Sequence, residues 1–364
     1  MFRVVIDGRE SGTSTGRYID KLIEYLHKLQ PEFEIIVLTK KDRIEYLRTV
    51  APSFRIIGSR YKAFSSGEQF GLRRQIRRLK PDLVHFGMTQ QPVLYFGKTI
   101  TTVHDLTTAR FYNPAKNRLV FKSKQWVYRV VIFIAAHKSK MVITASQYVK
   151  DDLVNFARIK PQKITVTYEA ADKITEAAKP VPGLQPKSFL MYVGRPLPHK
   201  NLKRLMEAYS IVHHAKPTLK LALVGKSDKL YDRHQQWAKK QGIEGVVFTG
   251  FVTEGQLRWL YENAAAYVFP SLSEGFGLPG LEAMVHGCPV IASKATCLPE
   301  VYGQAAEYFD PLDIHDMVEA IRRVVDNPTR VQELIRKGDR QVEKYSWAKM
   351  AKETLEVYKQ VLKS

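Results

Sequence analysis

Short apolar runs rich in β-branched residues recur along the first half of the chain, at 2–6, 34–38, 82–86, 99–103, 141–144 and 164–168. Near-continuous apolar runs of this length read as strands buried on both faces, as in a parallel sheet. Segments of helical period lie between them. Tyr18, Leu22, Tyr25, Leu26 and Leu29 recur at three- and four-residue spacing, and Leu153 and Phe156 follow Ser146, a residue type suited to cap a helix. The second half repeats the alternation, with strands at 189–193, 219–224, 246–249, 266–269 and 289–292 and helices starting near Asn201, Tyr231, Thr253 and Gly280. Strand–helix alternation of this kind predicts open parallel sheets covered by helices, with ligands outside the carboxyl ends of the strands.

The stretch 179–187, KPVPGLQPK, has three prolines, a glycine and no periodicity, and a fresh strand follows it. A domain boundary is expected there, giving domains 1–180 and 181–345. A chain of 364 residues with 45% hydrophobic and 26% charged residues fits two soluble globular domains. Two cysteines, Cys288 and Cys297, build no disulfide framework, so a reducing cytoplasm is expected. The opening MFRVVIDGRE reaches Asp7 before an apolar run of signal-peptide length forms, and the longest nearly uncharged apolar run, 130–136, falls far short of a bilayer span.

Charge changes the picture. The net charge is +21, with 32 Lys/Arg against 16 Asp/Glu in residues 1–180 and 25 against 20 in 181–364. The basic first half implies an anionic partner: nucleic acid, acidic lipid or a phosphorylated substrate.

The most informative segment is 269–287, FPSLSEGFGLPGLEAMVHG, a strand–loop–helix junction. Gly275 and Gly277 let backbone N–H groups approach a ligand, with Phe276 and Leu278 beside them, and Pro279 suits the first turn of a helix whose N-terminus favours phosphate. Glu274 and Glu282 are placed to accept hydrogen bonds from a polyol, and two carboxylates beside a phosphate site suggest a nucleotide sugar. This pattern, with the following GCPVIAS and LPEV, resembles the retaining glycosyltransferases of family 4. Further matches run along the chain: Gly16-Arg17-Tyr18, Thr102-Val103-His104-Asp105, Ser146 in ITAS, Val193-Gly194-Arg195, Lys200-Asn201 and a final Ser346-Trp347 helix.

The resemblance implies a GT-B fold, two doubly wound Rossmann-like domains facing each other across a cleft. The nucleotide-sugar donor would sit on the second domain, the acceptor on the first, and the last helix, 346–364, would return to the first. The anomeric configuration would be retained by a front-face route in which the departing phosphate helps deprotonate the acceptor. Arg195 and Lys200, in the loop after the strand 189–193, would stabilise the diphosphate as its charge develops. Neither an Asp-x-Asp pair nor a His/Cys/Asp cluster has metal-ligand spacing, so no metal and no cofactor is expected. His104 follows a strand and suits contact with the sugar; the alternative is a structural histidine bonded to Asp105. Gly16 lies in the loop 7–16, where backbone could approach the donor, although the spacing is not G-x-G-x-x-G. The loop 168–172, YEAAD, carries alanines where the family has glycine.

Two basic segments could meet the anionic partner, a membrane surface with a lipid-linked glycan acceptor being favoured over nucleic acid. The segment 70–80, FGLRRQIRRLK, sets Leu72, Ile76 and Leu79 against Arg73, Arg74, Arg77 and Arg78. In 118–140 the cations Arg118, Lys122, Lys124 and Arg129 interleave with Phe121, Trp126 and Tyr128. The function expected is hexosyl transfer in cell-surface polysaccharide or glycolipid synthesis, at the inner face of the membrane. A nucleic-acid-binding protein and a GT-B nucleotide-sugar epimerase are the alternatives.

Overall fold

The computed structural model describes residues 1–13, 15–112 and 118–364, with 118–120 described by backbone alone; Ser14 and the Arg118 side chain thus lie outside the described residues. Among the described residues the strands are β1 (Arg3–Asp7), β2 (Glu34–Thr39), β3 (Arg55–Gly58), β4 (Leu83–Phe86), β5 (Thr99–Val103), β6 (Met141–Thr144), β7 (Ile164–Val166), β8 (Phe189–Val193), β9 (Lys220–Val224), β10 (Val246–Gly250), β11 (Ala266–Phe269), β12 (Val290–Ser293) and β13 (Ala306–Phe309). They form two sheets, ordered β3-β2-β1-β4-β5-β6-β7 and β10-β9-β8-β11-β12-β13, in which every pairing is parallel. The central strands are buried throughout, which is why they appear in the sequence as unbroken apolar runs.

The chain divides into two compact units. One comprises Met1–Ala109, Lys122–Glu169 and Ser346–Ser364, the other Arg110–Phe121 and Ala170–Tyr345. The division lies between Glu169 and Ala170, ahead of the proline-rich stretch. Residues 170–180 join the second unit because their backbone is tied there: Ile174 N–H donates to His286 Nε2 (3.1 Å) and Lys179 N–H to the Gly255 carbonyl (3.0 Å).

In the first unit the helix Trp347–Lys363, capped by Ser346 Oγ, packs along the helix Arg17–Leu29. Its Tyr358 hydroxyl lies 2.6 Å from Nδ1 of the fully buried His85 on β4, whose Nε2 is 2.8 Å from Thr102 Oγ1 on β5. Burial lowers the His85 pKa to about 3, so the ring is neutral and is satisfied by two hydroxyls. The segment 70–80 is more irregular than its pattern predicts. A π-helical turn, Glu68–Leu72, leads into the helix Arg73–Arg78, with Leu72 and Ile76 fully buried and Arg74, Arg77 and Arg78 exposed; Arg73 is half-buried. In the helix Arg118–Lys138, Phe121 and Tyr128 are buried, whereas Trp126 stays 68% exposed. No helix among the described residues is long and apolar enough to cross a membrane.

Candidate active site

Strand order locates the site in the second unit. From β8 the chain runs outward to β9 and β10 and then returns to place β11 on the other side of β8, so the direction of winding reverses between β8 and β11. At such a switch point the loops leaving the two strands diverge and open a crevice at their carboxyl ends. The loop after β8 carries Arg195 and Lys200, and the loop after β11 carries Glu274. The two loops are joined by Leu272 N–H donating to the His199 carbonyl at 2.7 Å.

Lys200 and Glu274 meet there directly, Lys200 Nζ lying 2.5 Å from Glu274 Oε1 with the side chains only 17% and 12% exposed. Lys200 is held by its neighbour. Asn201 adopts a left-handed conformation (φ 60°), and its buried amide donates to the carbonyls of Pro270 (3.1 Å) and Pro311 (2.7 Å), just beyond β11 and β13. Glu274 is held through its backbone N–H, which donates to Thr296 Oγ1 at 3.1 Å. Thr296 has φ 54°, a sterically costly conformation for a β-branched residue and one found mainly where a site requires it.

The remaining residues of the segment support this pair. Gly277 caps the helix Leu278–Val285 with φ 93°, and a Cβ there would lie 2.6 Å from both Leu298 Cδ2 and the Tyr302 hydroxyl, which itself donates to the Gly277 carbonyl. Only glycine fits. Gly275 and Phe276 are buried, the Phe276 ring meeting Tyr345 edge-on at 5.5 Å, and Pro279 lies in the first helical turn as expected. Glu282 Oε2 accepts from the Tyr261 hydroxyl (3.1 Å), a partner distinct from those of Glu274. Arg195 is 65% exposed, its Nε 3.6 Å from Asp228 Oδ2. Asp228 also caps the helix Lys229–Lys240 by accepting from Leu230 N and Tyr231 N. Thus the structure joins Lys200 to Glu274 and leaves Arg195 and Glu282 with other partners.

His104 and Gly16 belong to the first unit, whose own winding reverses between β1 and β4. The His104 ring donates from Nε2 to the Gly87 carbonyl beyond β4 (3.0 Å) and from Nδ1 to Glu169 Oε1 (3.1 Å). The expected partner Asp105 is engaged otherwise, its Oδ1 accepting from Thr107 N–H at 2.7 Å. Burial alone would lower the His104 pKa, but the hydrogen bond and charge of Glu169, the Gly87 carbonyl and Asp105 hold it above its ordinary value. The Tyr18 ring meets His104 edge-on at 4.8 Å, linking it to the helix that begins after Gly16. A Cβ at Gly16 would overlap the Glu10 carbonyl oxygen.

Sequence reasoning missed Glu169, Thr296, Asp228 and a buried charge cluster beside β1. In that cluster Arg9 donates to Asp7 (2.8 and 2.7 Å) and to Glu68 Oε1 (2.8 Å). Desolvation raises the Glu68 pKa against the pull of Arg9. The only signal for Glu169 was its position in YEAAD, after β7.

Comparison with known proteins assigns the chemistry. A model described as Glycosyltransferase Family 4 matches residues 15–173, and one described as Glycosyl transferases group 1 matches 174–341. The chain belongs to this glycosyltransferase family. It is 28% identical over 274 residues to the O-antigen chain mannosyltransferase B of Escherichia coli, a match covering 72% of this chain and 70% of that protein. The serotype-specific mannosyltransferase WbdA of Escherichia coli also matches at 28% identity over 73% of this chain, which spans only 34% of that longer protein. Among solved structures, sucrose-phosphate synthase from Thermosynechococcus elongatus superposes with a TM-score of 0.79 at 19% identity, covering 99% of both chains. Anabaena Alr3699/HepE in complex with UDP-glucose gives 0.74 at 16%, covering 99% of this glycosyltransferase and 100% of that chain. The fold is GT-B, two Rossmann-like domains with parallel sheets.

Proposed function

We propose that this glycosyltransferase moves a hexose, mannose by analogy with its relatives, from a nucleotide-sugar donor to a glycan acceptor in cell-surface polysaccharide synthesis. The observation that carries the reading is the Lys200–Glu274 pair at the β8/β11 switch point of the second unit. Glu274 and Glu282 accept hydrogen bonds from the donor's hydroxyls, Lys200 and Arg195 meet the diphosphate as its charge grows, and Gly275, Phe276, Gly277 and Leu278 shape the walls that hold the donor. The Lys200 ammonium leaves Glu274 when phosphate arrives, so both partners become available to one ligand. Cations do the work a divalent ion would do, so the enzyme needs no metal. Transfer proceeds with retention, the departing phosphate taking the acceptor proton, and His104 orients the sugar.

The acceptor is lipid-linked in this reading, and the protein rests peripherally on the anionic inner face of the membrane. Support comes from the exposed Trp126 and Phe133, which share a helix with the exposed Lys122 and Lys124, and from exposed Arg74, Arg77 and Arg78.

Incubation with several nucleotide sugars, with and without a lipid-linked acceptor and with EDTA, tests the proposal. Nucleoside diphosphate is expected only with acceptor and equally in EDTA. Conversion of a nucleotide sugar to its epimer without acceptor would replace transfer by epimerisation.

A further inference from the structure

An open cavity of about 640 Å³ in the first unit is lined by the end of β3, the helix Arg73–Arg78 and Lys41 at the start of a short 3₁₀ turn. Lys41, Arg55, Arg60, Arg74 and Arg78 line it, and no carboxylate does. Some exposed cations are paired, as in Arg48 with Glu45 and Lys28 with Glu24. Here Lys41, Arg74 and Arg78 meet no carboxylate among the described residues. Arg60 has only the face of the Tyr61 ring, 5.7 Å away. Arg55 Nη1 lies 4.0 Å from Glu34 Oε1, and the other oxygen of that carboxylate accepts from Arg3 Nε at 2.6 Å. Like charges gathered around one concavity repel one another and raise its affinity for an anion.

Two polar atoms in the same wall carry a second, independent indication. Ser59 is 8% exposed, and its hydroxyl has no partner among the described residues. Gln75 donates from Nε2 to the Gly58 carbonyl (2.9 Å) and leaves a buried Oε1 unpaired. A buried hydroxyl and amide oxygen without partners are costly unless a ligand completes them. The hydroxyl can donate to an anionic oxygen. The amide oxygen needs a donor, such as a protonated phosphate oxygen or an adjoining alcohol. Guanidinium groups are the side chains best matched to phosphate oxygens.

We infer that this cavity binds a phosphomonoester or diphosphate group. The inference deepens the reading already given to Arg74 and Arg78 and does not depend on the donor site, since every residue involved lies in 41–79 of the first unit. The group can come from a soluble phosphorylated compound or from a phosphate-bearing lipid headgroup.

Calorimetry with inorganic pyrophosphate at low salt tests it on the full chain. Wild type is expected to bind, with affinity falling as salt rises. Arg74→Gln/Arg78→Gln should weaken binding about tenfold or more, and Ser59→Ala severalfold, in keeping with the loss of charge-assisted hydrogen bonds. Lys122→Gln/Lys124→Gln removes the same charge outside the cavity and should leave binding unchanged. Pyrophosphate held at the donor site would be lost in Lys200→Met, whereas pyrophosphate held in this cavity is lost in Arg74→Gln/Arg78→Gln, which separates failure here from failure of the donor-site reading. Sedimentation with phosphatidylcholine vesicles carrying phosphatidic acid then identifies the source. Capture by these vesicles, reversed by pyrophosphate, marks a headgroup, and pyrophosphate binding without capture marks a soluble ligand. The proposal is overturned if pyrophosphate fails to bind wild type, or if the Lys122/Lys124 control loses as much affinity as the cavity variant.

Discussion

Replacing Lys200 by Met deletes one member of a pair whose side chains are 17% and 12% exposed. The Glu274 carboxylate then remains in a largely dry loop without its cation. Removing one partner of a buried ion pair costs about 3–5 kcal/mol. Residual solvent contact lowers that figure, and we expect Lys200→Met to destabilise by about 2–3 kcal/mol. Glu274→Gln strands the ammonium instead and should cost a similar amount. The double variant carries no unpaired charge, so it should recover at least ~1 kcal/mol relative to the sum of the two single changes. Urea unfolding followed by fluorescence gives the three values. Turnover should behave differently, because an ammonium that meets the departing diphosphate acts most strongly in the transition state. Loss of such a group lowers kcat about 10²–10³-fold, and neutralising Glu274 cannot restore it. The double variant is therefore expected to regain stability without regaining kcat. Additive stability changes, within ~0.5 kcal/mol, would show that the pair is not formed in solution. Recovery of kcat together with stability would reduce both residues to a structural role.

His104 has a pKa raised above 6.5 in the folded protein, so the stability it contributes is full below pH 6.5 and is lost as pH rises through the folded value; His104→Gln should remove that part of the slope of urea midpoint against pH. His85 has the opposite sign, since its folded pKa is lowered to about 3: wild type should lose stability as pH falls below 6.5, and the loss should shrink in His85→Gln, with an unchanged acid limb counting against the neutral buried ring. Gly277→Ala should cost about 2–5 kcal/mol, from the left-handed backbone and from crowding against Leu298 and Tyr302, and an unshifted thermal midpoint would refute the close approach.

The interior strands of both sheets were legible in the sequence because burial on two faces leaves them uniformly apolar, whereas two of the four edge strands, β3 and β13, were not. In β3, Arg55 and Gly58 face solvent and only Ile56 is buried. In β13, Glu307 interrupts the pattern, and its burial makes sense only with Arg323 and Arg330, which approach from later helices at 2.6 and 2.7 Å. Where a strand with an open edge lacks a continuous apolar run, as these two do, its signal lies in partners distant along the chain. The candidate site divides in the same way. Glu274, Lys200 and Gly277 were readable because each lies in the loop between a strand and the following helix, which is a local property. That Lys200 should touch Glu274 follows from β11 settling beside β8 and not beside β10, which is a property of strand order. Glu169 was hidden for the same reason. Asp105 is adjacent to His104 in sequence, yet the peptide geometry that lets its carboxylate accept from Thr107 N–H engages it locally, and the imidazole takes its carboxylate from a loop 65 residues away. Local pattern therefore identifies the residues capable of chemistry, while the reversal of winding in each sheet decides which of them can act on the same ligand.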